Sequence, residues 1–303
     1  MKVGLIVPID DESLGHIPSY RELRDLARLA EASGIDSIWV FDHLLFRFPD
    51  QPPSGIHECW TILAALADAT DRVELGTLIM CTAFRPAALL AKMAAALDVI
   101  SEGRLILGLG TGWHEPEFRA FGYPFQERVG RFQDALTIIT GLLRDGHVDY
   151  HGRYETADDC VLIPAPTRRI PILVAARGPR MLRLAAAHAD AWNTAWFGAP
   201  DERLAGRRAD LAAACAAVGR DPATLGVTIG VVVRYPDLLA GISPGTVPPG
   251  PSAPALGGSA DEVAAGLRAH AAAGAEHVIV DLQPPTPAAL DRLADAVERF
   301  RAA

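Results

Sequence analysis

Only four cysteines occur in this 303-residue chain, at positions 59, 81, 160 and 215, and no two form a Cys-x-x-Cys pair. They offer no disulfide or redox framework and read as reduced, mostly buried thiols of a cytoplasmic protein. Positive charge is also scarce: 28 Lys and Arg against 37 Asp and Glu leave a net charge of −9, which argues against a general nucleic-acid surface. The first apolar run, residues 1–8, is too short for a secretory leader or a membrane span and reads as a strand. There is no His-Glu-x-x-His motif, and His147 and His151 sit in a stretch unsuited to a helix, so no metal is expected. Neither an internal repeat nor a linker signature divides the chain.

What the chain has in quantity is apolar residues, 50% of the total, enough for a large core. Strand and helix patterns alternate from end to end. Strands are expected over 2–7, 37–41, 73–80, 105–109, 171–176, 191–196, 227–233 and 277–282. The helices between them include one from Ser19, where Glu22 completes a capping box, to a stop at Gly34, and others over 59–69 and 86–100. Pro86 suits a first helical turn. After the fourth strand comes an insertion, with a helix over 129–143 and a hairpin-like segment over 149–154. A Pro/Gly-rich stretch over 238–256 reads as a mobile loop after the seventh strand. Eight strand patterns predict one (β/α)8 barrel over 1–303, the alternative being an open doubly wound sheet.

In such folds ligands meet the C-terminal ends of the strands. Asp42 and His43 follow the second strand, and a histidine there suits proton transfer near neutral pH or, more plainly, caps loop backbone. Gly76 in the third strand marks either a bulge that approaches a flat ligand or simple packing. Gly108-x-Gly110-x-Gly112 precedes Trp113 and is no dinucleotide fingerprint; it reads as room for a planar ring. Arg177-Gly-Pro-Arg180 opens a helix after the fifth strand, where free N–H groups suit a phosphate, or else it is an ordinary turn. Trp192 and Asn193 can face a heterocycle or lie in the core.

As a set these residues resemble the bacterial luciferase-like superfamily along nearly the whole chain. The resemblance is carried by Asp42-His43, Leu75-Gly-Thr-Leu-Ile, Arg85-Pro86 and the run from Leu97 to Trp113. Glu117-Phe-Arg-Ala-Phe-Gly-Tyr-Pro124, His151-Gly-Arg-Tyr154 and the pattern from Gly178 to Asn193 extend it. The Gly-Trp-x-x-x-Glu-x-x-x-Phe-Gly version is most similar to the subgroup that uses the deazaflavin coenzyme F420. The resemblance implies a non-prolyl cis peptide at Leu78–Ile79 in a bulge that, with Thr77, supports the ring. It implies a cofactor phosphate at Arg177, Gly178, Pro179 and Arg180, with Thr111, Gly112, Trp113, Ala176 and Asn193 as further cofactor-binding residues. His43 would handle a proton, and Asp42 would position it. Alanines at 175 and 176 stand where many members have glycine, and Trp113 stands where the sugar-phosphate and alcohol branches carry an acidic glutamate. A larger, more apolar substrate is therefore expected, with Trp39, Trp60, Phe84, Trp113 and Trp196 as candidate walls.

The implied activity is hydride transfer between F420 and a small organic molecule. The alternatives are an FMN-dependent monooxygenase fed by a separate reductase, and a barrel that binds a flavin without turnover. The implied partners are a small-molecule substrate, a cofactor-recycling reductase or dehydrogenase, and a second copy docked through helices two and three.

Overall fold

The computed structural model describes residues 1–11, 14–239 and 252–302. In chain order the elements are β1 (Lys2–Ile6), α1 (Tyr20–Ala32), β2 (Ser37–Val40), α2 (Cys59–Ala69), β3 (Glu74–Thr77), β4 (Met80–Cys81), α3 (Ala87–Ile100) and β5 (Leu105–Gly110). An insertion follows, made of α4 (Glu115–Phe121), α5 (Arg128–Asp145), β6 (His147–His151) and β7 (Thr156–Val161). Then come β8 (Ile172–Ala175), α6 (Pro179–His188), β9 (Ala191–Phe197), α7 (Glu202–Ala217), β10 (Gly226–Arg234), α8 (Ala260–Ala272), β11 (His277–Gln283) and α9 (Pro287–Arg301).

The strands pair in parallel in the order β3-β2-β1-β11-β10-β9-β8-β5-β4, and β5 also pairs with β3. That last pairing closes the sheet into an eight-position barrel, with β3 and β4 as two halves of one strand. The open-sheet alternative is thereby excluded. The helices pack outside, each laying an apolar stripe on the strands. Helix α1 buries Leu23, Leu26, Ala27 and Ala30, and its capping box at Ser19 and Glu22 is formed on both sides. Ser259 and Glu262 make the same reciprocal pair on α8; each such cap stabilises its helix by about 1 kcal/mol.

Three boundaries differ from the expectation. The third strand is broken, because between Gly76 and Met80 the chain takes one more step than β5 takes from Ile106 to Leu109. Helix α4 was not expected; its seven residues begin with Glu115-Pro116 and end at a left-handed Gly122. Pro86 is the N-cap of α3 rather than its first turn. The Pro/Gly-rich loop expected over 238–256 falls mostly on 240–251, outside the described residues, and Leu256 pairs with Val233 where the chain returns.

The N-terminal end of the barrel is sealed by packing and by one arginine. Trp39 fills the interior between Gly4 and Gly76; a Cβ on Gly76 would lie 2.1 Å from its ring. Its indole N–H donates to Ser37 Oγ, which in turn lies 2.8 Å from His277 Nε2. Burial pushes His277 down to about 3, so the ring is neutral and shares one hydrogen bond with the serine hydroxyl. Arg104, just before β5, donates to the carbonyls of Ala67, Thr70, Val73 and Ser101 and to Thr70 Oγ1 at 2.7–3.0 Å. It thereby ties the ends of α2 and α3 to the start of β5. Replacing Arg104 by Met strands those acceptors, and a stability loss of about 2–4 kcal/mol is expected. Denaturant unfolding measures it; a loss under about 0.5 kcal/mol, the ordinary range of surface changes, would refute the role.

Candidate functional site

At the opposite end, every strand position contributes to a cavity of about 670 Å³. Ile6, Pro8 and Asp10 come from the β1 end, and Phe41, Asp42, His43 and Phe46 from the β2 end. Leu78, Ile79 and Cys81 form the bulge wall, and Thr111, Gly112 and Trp113 follow β5. Ala175, Ala176 and Arg177 follow β8, and Asn193 to Trp196 belong to β9. Leu239, beyond β10, and Asp281 to Pro285, from β11, complete the ring.

The peptide between Leu78 and Ile79 is cis, and this is the position given by the resemblance. The glycines of β5 make room for that bulge rather than for a ligand, which corrects the first reading of them. A Cβ on Gly108 would lie 1.9 Å from the Thr77 carbonyl oxygen, and one on Gly110 would lie 1.9 Å from Ile79 Cδ1. Gly112 has φ +69°, and a Cβ there would meet Phe118 and Cys81. Gly76 likewise serves packing against Trp39. Thr77 lies off the cavity: its hydroxyl donates to the Gly108 carbonyl and accepts from the Gly108 N–H, closing the gap in the ladder.

Asp42 does not touch His43, so its expected positioning role is corrected. Its carboxylate takes both arms of the Arg85 guanidinium, at 2.8 and 3.1 Å, and accepts the Cys81 N–H at 3.0 Å. Burial raises the Asp42 carboxyl, and the Arg85 charge opposes that rise. Arg85 also reaches Glu58, which caps α2 by accepting from the Trp60 and Thr61 N–H groups. The ion pair thus anchors the chain just past the bulge to β2. Cys81 stays a thiol, since burial pushes it well up.

The carboxylate that holds His43 is Glu117, from α4. Its Oε1 lies 2.8 Å from His43 Nδ1, and its Oε2 accepts the Leu44 N–H at 2.8 Å. A carboxylate can only accept, so Nδ1 carries the proton and Nε2 is the ring nitrogen left for exchange. Phe46 and Trp113 flank the imidazole, with ring centroids 4.5 and 5.5 Å away. His114 sits beside them, its Nε2 accepting the Arg47 N–H, and burial lowers its pKa. Glu117 appeared in the sequence only as part of a motif, without a role; its one distinguishing signal was its place beside Phe118, two residues after Glu115, on a short helix past a strand end.

Arg177 lines the cavity and donates to the Ala195 carbonyl. Arg207 donates to Thr194 Oγ1 and to the same carbonyl at 2.6 and 2.9 Å, and Arg203 donates to the Trp196 carbonyl at 2.8 Å. Burial, then the neighbouring arginines, lower Arg207 to about 10. These arginines converge on a second bulge that the sequence did not reveal. The Ala195–Trp196 peptide is cis, and β9 carries an extra residue against β10 between Thr194 and Phe197. Gly178 caps α6 with no side-chain hydrogen bond and open space beyond its Cα, and Pro179 is the first helical residue. Arg180 points to Gln133 at 3.0 Å, outside the cavity lining. Asn193 is buried on the cavity wall, its amide donating to Thr228 Oγ1 at 2.9 Å.

Of the expected aromatic walls, Trp113 and Trp196 line the cavity, while Trp39, Trp60 and Phe84 are packed in the interior. Phe41, Phe46 and Met181 line it instead. Asp10 and Asp281 were also missed, although each lies at or near a strand end. Among the described residues, the only trio of metal-ligand type is Asp149, His151 and Asp158, which is exposed on the β6–β7 hairpin and outside the cavity. No helix among the described residues is long and apolar enough to cross a membrane.

Residues 1–237 match the family described as "Luciferase-like monooxygenase". The chain belongs to this family. It is 34% identical over 206 residues to an F420-dependent hydroxymycolic acid dehydrogenase of Mycobacterium tuberculosis (strain ATCC 25618 / H37Rv), covering 66% of this chain and 55% of that protein. It is 33% identical over 171 residues to an F420-dependent glucose-6-phosphate dehydrogenase of Amycolatopsis mediterranei (strain U-32), covering 54% of this chain and 50% of the other. The chain thus spans about half the length of these relatives. Among solved structures, an F420-dependent secondary alcohol dehydrogenase in complex with an F420-acetone adduct superposes with a TM-score of 0.82, at 20% identity and 99% coverage of both chains. That last likeness is one of luciferase-like barrel architecture.

The buried Asp42–Arg85 pair generates a sharp expectation, because removing one partner leaves a desolvated charge. Asp42→Ala is expected to cost about 3–5 kcal/mol. Denaturant unfolding reads this directly, and a change within about 0.5 kcal/mol would refute it.

Proposed function

We propose that this luciferase-like barrel is an F420-dependent oxidoreductase that moves a hydride between the deazaflavin ring and a small, uncharged, largely apolar substrate. The observation that carries the reading is His43 at the cavity, held through Nδ1 by buried Glu117 and lining the same cavity as the bulge residues Leu78 and Ile79 of the neighbouring strand position. The names of the two F420-dependent relatives support the choice of cofactor.

The residues present fit that group. The bulge wall and the side chains of Ile6 and Phe41 give a flat ring apolar surface. The uncapped N-terminus of α6 opens beside Arg177, and Arg203 and Arg207 add charge; among the described residues Asp201 pairs with Arg203 at 3.5 Å. An anionic cofactor tail would relieve the mutual repulsion that, after burial, lowers Arg207. When bound, F420 supplies the hydride chemistry. The chain supplies orientation, exclusion of water and a proton site. His43 Nε2 takes or returns the substrate proton, Glu117 keeps the imidazole in one tautomer and stabilises its charged form, and Trp113 and Phe46 fix the ring plane. Trp113 stands where the resemblance places an acid in the sugar-phosphate and alcohol branches, which supports an apolar substrate rather than a sugar phosphate.

For assembly, the reading is a homodimer through α2 and α3, supported by exposed Leu89, Val99 and Ile100 on α3. A separate dehydrogenase or reductase would recycle the cofactor. The second reading, reduced FMN with molecular oxygen, is favoured by the family's monooxygenase description.

Fluorescence titration of the apoprotein with F420 and with FMN separates the two. Micromolar F420 binding with weak FMN binding is expected; the reverse preference transfers the proposal to the monooxygenase, and binding of neither overturns both. Once a substrate is in hand, His43→Ala is expected to lower kcat about 10²–10⁴-fold with F420 affinity unchanged. Glu117→Gln should give a smaller loss and a displaced pH–rate profile. An unaltered kcat in His43→Ala would remove His43 from the chemistry.

A further inference from the structure

One wall of the cavity takes no part in the chemistry described above. β11 stands four strand positions around the barrel from β5, and its end brings Asp281 and Gln283 to the lining, with Asp10 from the neighbouring β1. Asp281 Oδ2 accepts from the Gln283 amide at 2.6 Å, and Gln283 Oε1 accepts from Arg234 Nε at 2.8 Å. Asp281 is thus fixed in place by a neutral amide, not by an ion pair. Arg234 bonds the other end of that amide, and its charge also acts on the carboxyl, more weakly than the amide does. The residue is half-buried and lines the cavity.

The surroundings define what this group can recognise. Next to it the lining is Ile6, Leu282, Pro284 and Pro285, so a ligand there meets hydrocarbon on most sides. The other polar side chains of the cavity are already engaged: Asp42 by Arg85, Asn193 by Thr228, Arg177 by the Ala195 carbonyl. His43 stands two strand positions away.

We propose that Asp281 is a substrate-binding residue, whose carboxyl donates a hydrogen bond to a single uncharged oxygen, carbonyl or hydroxyl, of an otherwise apolar substrate. The proposal rests on the oxidoreductase reading for the word substrate. Burial raises the Asp281 carboxyl to about 7, with Asp10 adding to the rise and the Gln283 hydrogen bond and Arg234 opposing it. The groups that face it are therefore Asp10 from β1, Arg234 from β10 and Gln283 on its own strand. Below about pH 7 the carboxyl is a donor to either oxygen; above it, a carboxylate repels the lone pairs of a carbonyl oxygen and can only accept from a hydroxyl. Two acidic side chains on one wall also disfavour carboxylate or phosphate groups at this position.

The test compares the F420-loaded wild type with Asp281→Asn and Asp281→Leu, using cyclohexanone and cyclohexanecarboxylate as probes and calorimetry as the readout. Cyclohexanone should bind the wild type with affinity falling as pH rises through about 7. Asp281→Asn keeps an N–H donor, so it should bind within about threefold of the wild type at low pH and lose the pH dependence. Asp281→Leu should bind about tenfold more weakly, the loss of one buried hydrogen bond. All three should bind F420 alike. Equal cyclohexanone affinity in the wild type and Asp281→Leu overturns the proposal, as does one pH profile shared by all three. Preference of the wild type for cyclohexanecarboxylate overturns it too. Failure of all three to bind F420 strikes the oxidoreductase reading alone, because the cyclohexanone comparison is still read on the apoproteins.

Discussion

Between Gly76 and Met80 the third barrel strand carries one residue more than its neighbour β5, and the parallel ladder resumes only because both sides accommodate the surplus. Gly108 and Gly110 lack the atoms that would strike Thr77 and Ile79, and the Thr77 hydroxyl bridges the skipped pairing. Past the surplus, Asp42 and Arg85 hold the Cys81 backbone against β2. The cavity wall formed by Leu78 and Ile79 has its shape because these contacts leave it no other place to go. A bulge at a barrel rim that re-aims the chain toward a ligand is a familiar use of one extra residue, and β9 repeats the device at Ala195–Trp196, where Gly230 on the facing strand leaves room and arginines add support.

The carboxylates around the cavity divide their roles by what each one faces. Asp42 faces a guanidinium in a dry setting, and its work is mechanical. Glu117 faces an imidazole and a backbone N–H, so it selects a tautomer and leaves the other ring nitrogen to the cavity. Asp281 faces an amide and another acid, and burial leaves it near its midpoint at neutral pH. The residue type is the same in two of these cases; the partner decides the chemistry.

Much of the architecture was legible in the chain. The capping box at Ser19, alternating apolar periodicities and the stop at Gly34 depend on neighbours a few residues away, so local pattern places them well. The bulge at Leu78–Ile79 was placed through resemblance, whereas composition alone pointed to Gly76, whose absent side chain is in fact replaced by Trp39. Helix α4 was missed because seven residues with a proline near the start carry too little periodicity to announce themselves.

The sequence by itself determined the barrel, the family and the strand ends that face the ligand, because hydrophobic period and strand-to-helix order are local and additive along the chain. Which carboxylate meets which cation was decided only by the tertiary structure. Asp42 is adjacent to His43 in sequence yet turns to Arg85, while Glu117, 74 residues away, reaches the imidazole. Successive residues at a strand end point to opposite sides of the sheet. Sequence neighbours there are parted by the same geometry that brings distant residues together at the barrel mouth.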